Sequence, residues 1–247
     1  MANGIRLDRV SFGYNGTDVF TGLTLVIPSG VATAIVGSNG SGKSTLLGLI
    51  AGTLQAHGGT VDLGGTRDVA LATQHSSVGD AFPITVEETV QMGRWRRLGL
   101  LRRPSRADRD IVDYWITELG LDEVRERRLG DLSGGQRHRA LLAQTFAQEA
   151  PIVLLDEPTV DLDAQARRGL MRQLDRLVAS GTTVVTATHD VEMAGRSDHC
   201  ISLDQPRPTG CVGSEHHSDQ EPGYSAASTP AAASAATTTD AVTPDPQ

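Results

Sequence analysis

Eight residues, Gly37-Ser38-Asn39-Gly40-Ser41-Gly42-Lys43-Ser44, stand between a β-branched run at 31–36 and a stretch of helical spacing holding Leu46, Leu47, Leu49 and Ile50. The pattern G-x-x-x-x-G-K-[ST] placed between a strand and a helix leaves few folds open. Its glycines allow turns that aim several backbone N–H groups at phosphate oxygens, and the helix start adds partial positive charge. Lys43 is expected to reach the β- and γ-phosphates and Ser44 to ligate Mg²⁺, with Thr45 continuing the nucleotide-binding run. The bland alternative, a glycine-rich turn with a chance lysine, fits poorly with the flanking elements. Lys43 is also the only lysine of the chain, beside 21 arginines. It survives where a compact ammonium on a flexible stem is needed, not a planar fork.

Around this loop, short β-branched runs alternate with helical patterns up to residue 204. That alternation reads as α/β with a mainly parallel sheet. Strands are expected at 5–10, 23–27, 31–36, 68–73, 152–155 and 183–188. Thr85 and Glu88 form a capping box ahead of a short helix, and Ser105 and Asp108 a weaker one ahead of a longer helix that Gly120 ends. Residues from about 80 to 145 are therefore richest in helix and are expected to form a subdomain. Asp163 is expected to cap a helix burying Leu170, Leu174 and Leu177. After Asp204 the chain turns to Ala, Thr, Ser and Pro with few large apolar residues, so 205–247 reads as a disordered acidic tail.

Two further points carry chemistry. The apolar strand at 152–155 ends in Asp156-Glu157, and adjacent carboxylates at the end of a buried strand call for a cationic or reactive neighbour. Asp156 suits a Mg²⁺ carboxylate, and Glu157 is placed to polarise a water attacking the γ-phosphate. His189, after the strand at 183–188, is expected beside it, where a neutral imidazole holds phosphate and water in line. The second point is Leu132-Ser133-Gly134-Gly135-Gln136-Arg137. A hydroxyl, two glycines and a helix start make a second anion site in a chain that already has one.

That run resembles the signature sequence of ABC ATPases, and it lies between the phosphate loop and the acidic strand in the order of that family. The resemblance covers residues 4–204. It implies a nucleotide-binding domain with a RecA-like core, an N-terminal antiparallel β-subdomain and a helical subdomain, with ATP and Mg²⁺ as cofactors. It also implies that Ser133, Gly134, Gly135, Gln136 and Asp163 serve the nucleotide of a second copy in a head-to-tail homodimer. Tyr14 resembles the aromatic that stacks on adenine; the simpler reading is a strand-edge tyrosine. Gln74 resembles the glutamine that touches Mg²⁺ and the attacking water. Two positions depart from the family pattern. Asp161 stands where a small residue is common, and His138 where glutamine is frequent.

The segment 74–95, with Pro83-Ile-Thr-Val86 and Met92-Gly-Arg-Trp95, resembles ATPases of zinc and manganese importers. Iron-siderophore, haem and cobalamin importers share a related pattern, usually without this Trp. The resemblance implies permease partners received near Phe82, Pro83, Ile84 and Met92, and a substrate-binding protein in the same system. Soluble ABC ATPases of translation or repair usually carry two such domains or a long coiled coil, and neither is visible here. P-loop kinases and GTP switches lack 132–137. The arginines at 94, 96, 97, 102, 103 and 106 read first as a solvated face, ahead of a membrane-facing or nucleic-acid surface. A net charge of −8 also disfavours nucleic acid. His216 and His217 read as part of an ordinary solvated tail rather than a metal sensor. Two cysteines make no disulfide framework. With no apolar run of about eighteen residues and no signal segment, the chain is expected in the cytoplasm, peripheral on the inner face of the membrane.

Overall fold

A computed structural model describes residues 4–73, 83–99 and 103–204, and the backbone of 209–212. These lie within the unit Met1–Gly213; Ser214–Gln247 forms a second unit and lies outside the described residues. The first elements are an antiparallel pair, β1 (Ile5–Tyr14) and β2 (Thr17–Ile27), which runs from Ile5 opposite Ile27 to Tyr14 opposite Thr17 with register shifts between Leu7 and Gly13. β3 (Ala32–Val36) leads through the glycine-rich loop into α1 (Lys43–Ala51). β4 (Gly58–Asp62) then returns to β1, giving a three-stranded sheet ordered β2-β1-β4.

β5 (Val69–Ala72) starts the second half, followed by α2 (Val86–Met92), α3 (Trp95–Leu98), α4 (Arg106–Glu118) and α5 (Gly134–Phe146). Then come β6 (Ile152–Asp156), α6 (Ala164–Ala179), β7 (Thr183–Ala187), α7 (Val191–Arg196), β8 (His199–Ser202) and β9 (Thr209–Val212). The larger sheet is ordered β5-β6-β7-β3-β8-β9, parallel except for β9. The sheet therefore runs past 204, where the sequence reading placed the start of the tail. A short edge strand in a polar, proline-flanked stretch leaves little periodicity to read.

Every residue of β6 and β7 is buried, as in a parallel sheet covered on both faces. Alternation assigns the faces. Ile152, Leu154, Val185 and Ala187 pack with α1 and the antiparallel sheet, whereas Val153, Leu155 and Val184 pack with the helical subdomain and α6. The α/β architecture read from the sequence is the one observed, with its antiparallel β-subdomain and its helices between β5 and β6. Both capping boxes form: Thr85 with Glu88, and Ser105 with Asp108. Gly120 lies just past α4 at φ +62°, the left-handed conformation that ends helices.

One expectation for the basic cluster needs correction. Arg94 is not on a solvated face but buried. Its Nε donates to Asp108 Oδ1 at 3.0 Å, and its Nη1 donates to the Ala147 carbonyl at 2.7 Å and to Glu149 Oε2 at 2.8 Å. The guanidinium thus joins the α2–α3 junction, the start of α4 and the end of α5. Arg96 and Arg97 pair at the surface with Asp68 and Glu149. Of the residues expected near a permease, Ile84 is buried, Met92 is partly buried against the core and Pro83 is exposed; Phe82 lies outside the described residues. Removing a buried ion-pair partner costs about 3–5 kcal/mol, so Arg94→Leu is expected to lower unfolding free energy by about 3 kcal/mol in urea titrations. Asp108 is held below the usual carboxylate range by hydrogen bonds from Ser105 and then by Arg94. A depressed folded value gives stability that is present above the ordinary carboxylate pKa and lost as pH falls through the folded one. The difference between wild type and variant should therefore narrow below about pH 4.

Candidate functional site

The carboxyl ends of β3, β6 and β7 lie side by side in the sheet, with β3 between β7 and β8. Ligands of open α/β sheets bind at such carboxyl ends. A cleft of about 600 Å³ opens there, lined by Tyr14, Val19, Asn39, Gly40, Gly42, Lys43, Ser44, Thr45, Asp156, Glu157 and His189. Residues from four separate stretches of sequence meet in it.

The loop is built by its backbone. Gly42, at φ +96°, sits where a Cβ would meet Phe20 at 2.8 Å and Val19 at 2.9 Å, so only glycine lets the turn settle on β2. Lys43 is buried, and its Nζ donates to the carbonyls of Gly37 (2.7 Å) and Ser38 (3.0 Å). The ammonium is held inside the loop that a phosphate would occupy. At the mouth, Tyr14 is half exposed, with Phe12 edge-on at 4.9 Å and its hydroxyl 3.4 Å from Thr45 Oγ1. The ring lines the cleft beside the phosphate loop.

Glu157 follows the last residue of β6 and holds φ +51°, rare for a residue with a side chain. Its N–H donates to the Ala187 carbonyl of β7 at 2.8 Å, which fixes the turn. The carboxylate is buried. His189 Nδ1 stands 2.9 Å from Glu157 Oε2. The approach is off the line of a hydrogen bond, and Oε2 has no partner of that kind in the structure described. A buried carboxylate oxygen without a donor, facing a cleft, fits a site that takes a water or ligand. Ser41 Oγ is buried in the same condition. Ser44 and Asp156 supply hydroxyl and carboxylate oxygens to one cleft, the hard donors that Mg²⁺ prefers.

Ser133, Gly134, Gly135, Gln136 and Asp163 do not line this cleft. Ser133 caps α5 in a third box, accepting from the Gln136 N–H at 3.3 Å while the Gln136 side chain accepts from the Ser133 N–H at 3.1 Å. Ser133 and Gly134 are exposed. Asp163 caps α6, accepting from Gln165 and Ala166, and these bonds hold it below the usual carboxylate range. Gln74 lies outside the described residues.

One residue of the site was not anticipated. Asp204, beyond β8, accepts from the Ser38 N–H at 2.8 Å and the Ser38 hydroxyl at 2.8 Å. Those bonds, with the Lys43 charge, hold its carboxyl below the ordinary range. It fastens the first turn of the loop to the neighbouring strand.

A phosphate loop, an acidic strand end and a histidine just past the next strand define a P-loop nucleotide hydrolase. Residues 20–160 match the ABC transporter family, and the chain belongs to it. It is 37% identical over 211 residues to the manganese transport system ATP-binding protein MntA of Synechocystis sp., covering 81% of each chain. It is 34% identical to the zinc transport system ATP-binding protein TroB of Treponema pallidum, over 77% of this chain and 74% of that one. Among solved structures, a metal-chelate type ABC transporter in an inward-facing conformation superposes with a TM-score of 0.74 at 27% identity, over 86% of this chain and 84% of the other. The chain is an ATP-binding, ATP-hydrolysing transport subunit. No helix among the described residues is long and apolar enough to cross a membrane.

Proposed function

We propose that this chain drives import of zinc or manganese by hydrolysing ATP between two copies of itself beneath a permease. The observation that carries the ATPase reading is the single cleft holding Tyr14, Lys43, Asp156, Glu157 and His189. Adenine stacks on Tyr14, and the loop from Gly37 to Thr45 cradles the phosphates with Lys43. Ser44 and Asp156, with Gln74, hold Mg²⁺, which when bound neutralises phosphate charge. Glu157 takes the proton of the attacking water and His189 keeps that water and the γ-phosphate aligned. Ser133 to Gln136 and Asp163, absent from their own cleft, close over the nucleotide of the second copy. Each cycle closes the dimer on ATP and reopens it after hydrolysis. A permease transmits that motion, a binding protein delivers the cargo, and the chain sits at the inner face of the membrane.

The cargo reading leans on the relatives in manganese and zinc systems and on the Pro83 to Trp95 segment, where Trp95 is exposed. An iron-siderophore, haem or cobalamin importer is the second reading, favoured by the metal-chelate type neighbour. Labelled zinc and manganese uptake in cells lacking this chain separates them. Loss of one metal's uptake, restored by wild type and not by Glu157→Gln, is the expected result. Normal uptake of both would reject the zinc or manganese assignment and move the test to chelated iron.

A further inference from the structure

The seven residues from Glu157 to Asp163 cross from β6 to α6, and two contacts seat them on the start of α5. A Cβ on Gly135 would come within 2.6 Å of the Asp161 carbonyl, so the strap lies against helix backbone with no room for a side chain. Asp161 itself holds φ +61°. One helical turn further on, His138 Nε2 is 3.0 Å from the Pro158 carbonyl. A carbonyl only accepts, so Nε2 carries the hydrogen. The imidazole is half-buried, and that burial lowers its pKa, so the ring stays neutral in place. On the far side, the Thr159 hydroxyl donates to Asp190 Oδ2 at 3.3 Å, where Asp190 also caps α7.

Both unusual positions of the sequence, His138 and Asp161, therefore meet on one short strap that begins with Glu157. Pro158 is the next residue after Glu157, and Glu157 is already in a strained backbone conformation. Strain of this kind persists only where neighbours hold it. Proline fixes its own φ, so a hydrogen bond that holds the Pro158 carbonyl restrains the chain directly after Glu157.

We infer that His138 is a positioning residue that sets Glu157 through the Pro158 carbonyl and so couples the helix start at Ser133 to hydrolysis in the chain's own cleft. This rests on the reading of a dimer in which Ser133 meets the partner's nucleotide. In that dimer each chain senses one ATP with α5 and hydrolyses the other with Glu157. The hydrogen bond from His138 joins the two tasks within a chain, which links the two ATP sites.

The test uses the full chain assembled with its permease, with ATP turnover measured against ATP concentration. His138→Phe keeps a ring without the N–H. It is expected to lower kcat about tenfold through misplacement of Glu157. ATP affinity and Tm should stay unchanged, and the Hill coefficient should fall to about 1. His138→Gln keeps an N–H donor and is expected to recover most of the turnover and the cooperativity. Wild-type kcat and Hill coefficient in His138→Phe would overturn the inference. So would a fall in Tm or ATP affinity accompanying the lost turnover, which would mark a packing role. So would a loss in His138→Gln as large as in His138→Phe. The underlying site reading fails by a different signal, normal turnover in Glu157→Gln.

Discussion

Glu157→Gln is expected to bind ATP as tightly as wild type and to hydrolyse it about 10²- to 10⁴-fold more slowly, the range for loss of a general base. Glutamine matches glutamate in shape, so the turn fixed by the Glu157 N–H on Ala187 survives. What disappears is the basic oxygen. Oε2 is buried, lies 2.9 Å from His189 Nδ1, and accepts no hydrogen bond from the described residues. A buried acceptor without a donor at the cleft wall suits a water that enters with the nucleotide. With binding kept and turnover stopped, nucleotide accumulates in the closed state, so a stable dimer is expected on adding ATP. Single-turnover hydrolysis and size-exclusion chromatography with and without ATP measure the two halves. Normal hydrolysis would remove Glu157 from its role, and slow hydrolysis without an ATP-dependent dimer would count against the shared-site arrangement.

How much of this was readable in advance followed from distance along the chain. The phosphate loop, the two capping boxes and the acidic strand end are local patterns of a few residues, and each sits where the sequence placed it. β4 was not among the expected strands: Gly58–Asp62 has two glycines and a single β-branched apolar residue, and among the described residues it pairs with β1. α7 is six residues long, too short to show a helical period. Arg94 looked like one more surface cation because its partners are 14, 53 and 55 residues away. The Asp204 tie to Ser38 spans 166 residues, and no sequence spacing announces it. His138 was visible as an exception without a meaning, and only the packing of the Glu157–Asp163 strap on α5 supplied one. Local backbone chemistry is written in short motifs, whereas the contacts that orient those motifs are made by the fold.

Lys43→Ala is expected to abolish useful nucleotide binding while leaving the fold intact. The ammonium donates to the carbonyls of Gly37 and Ser38 and feels the charge of Asp204. Phosphate oxygens carrying full negative charge are stronger acceptors, and the flexible stem lets Nζ swing from loop to ligand. Hydrogen bonds to charged groups contribute about 1.5–3 kcal/mol each. Losing one or two costs about 1.5–6 kcal/mol, which is roughly 10- to 10⁴-fold in Kd. Arginine is not expected to rescue. Lys43 is 7% exposed, and a planar guanidinium does not fit the space that a compact ammonium fills between the loop carbonyls. The loop itself should persist in the alanine variant, because Gly42 still packs on Phe20 and Asp204 still holds Ser38. Calorimetric titration with ATP, paired with thermal melting, separates the two effects. An unchanged Tm with a Kd weakened by at least an order of magnitude is the expected pair. An unchanged Kd would mean that the one lysine of the chain does not serve phosphate, and the cleft would lose its principal cation.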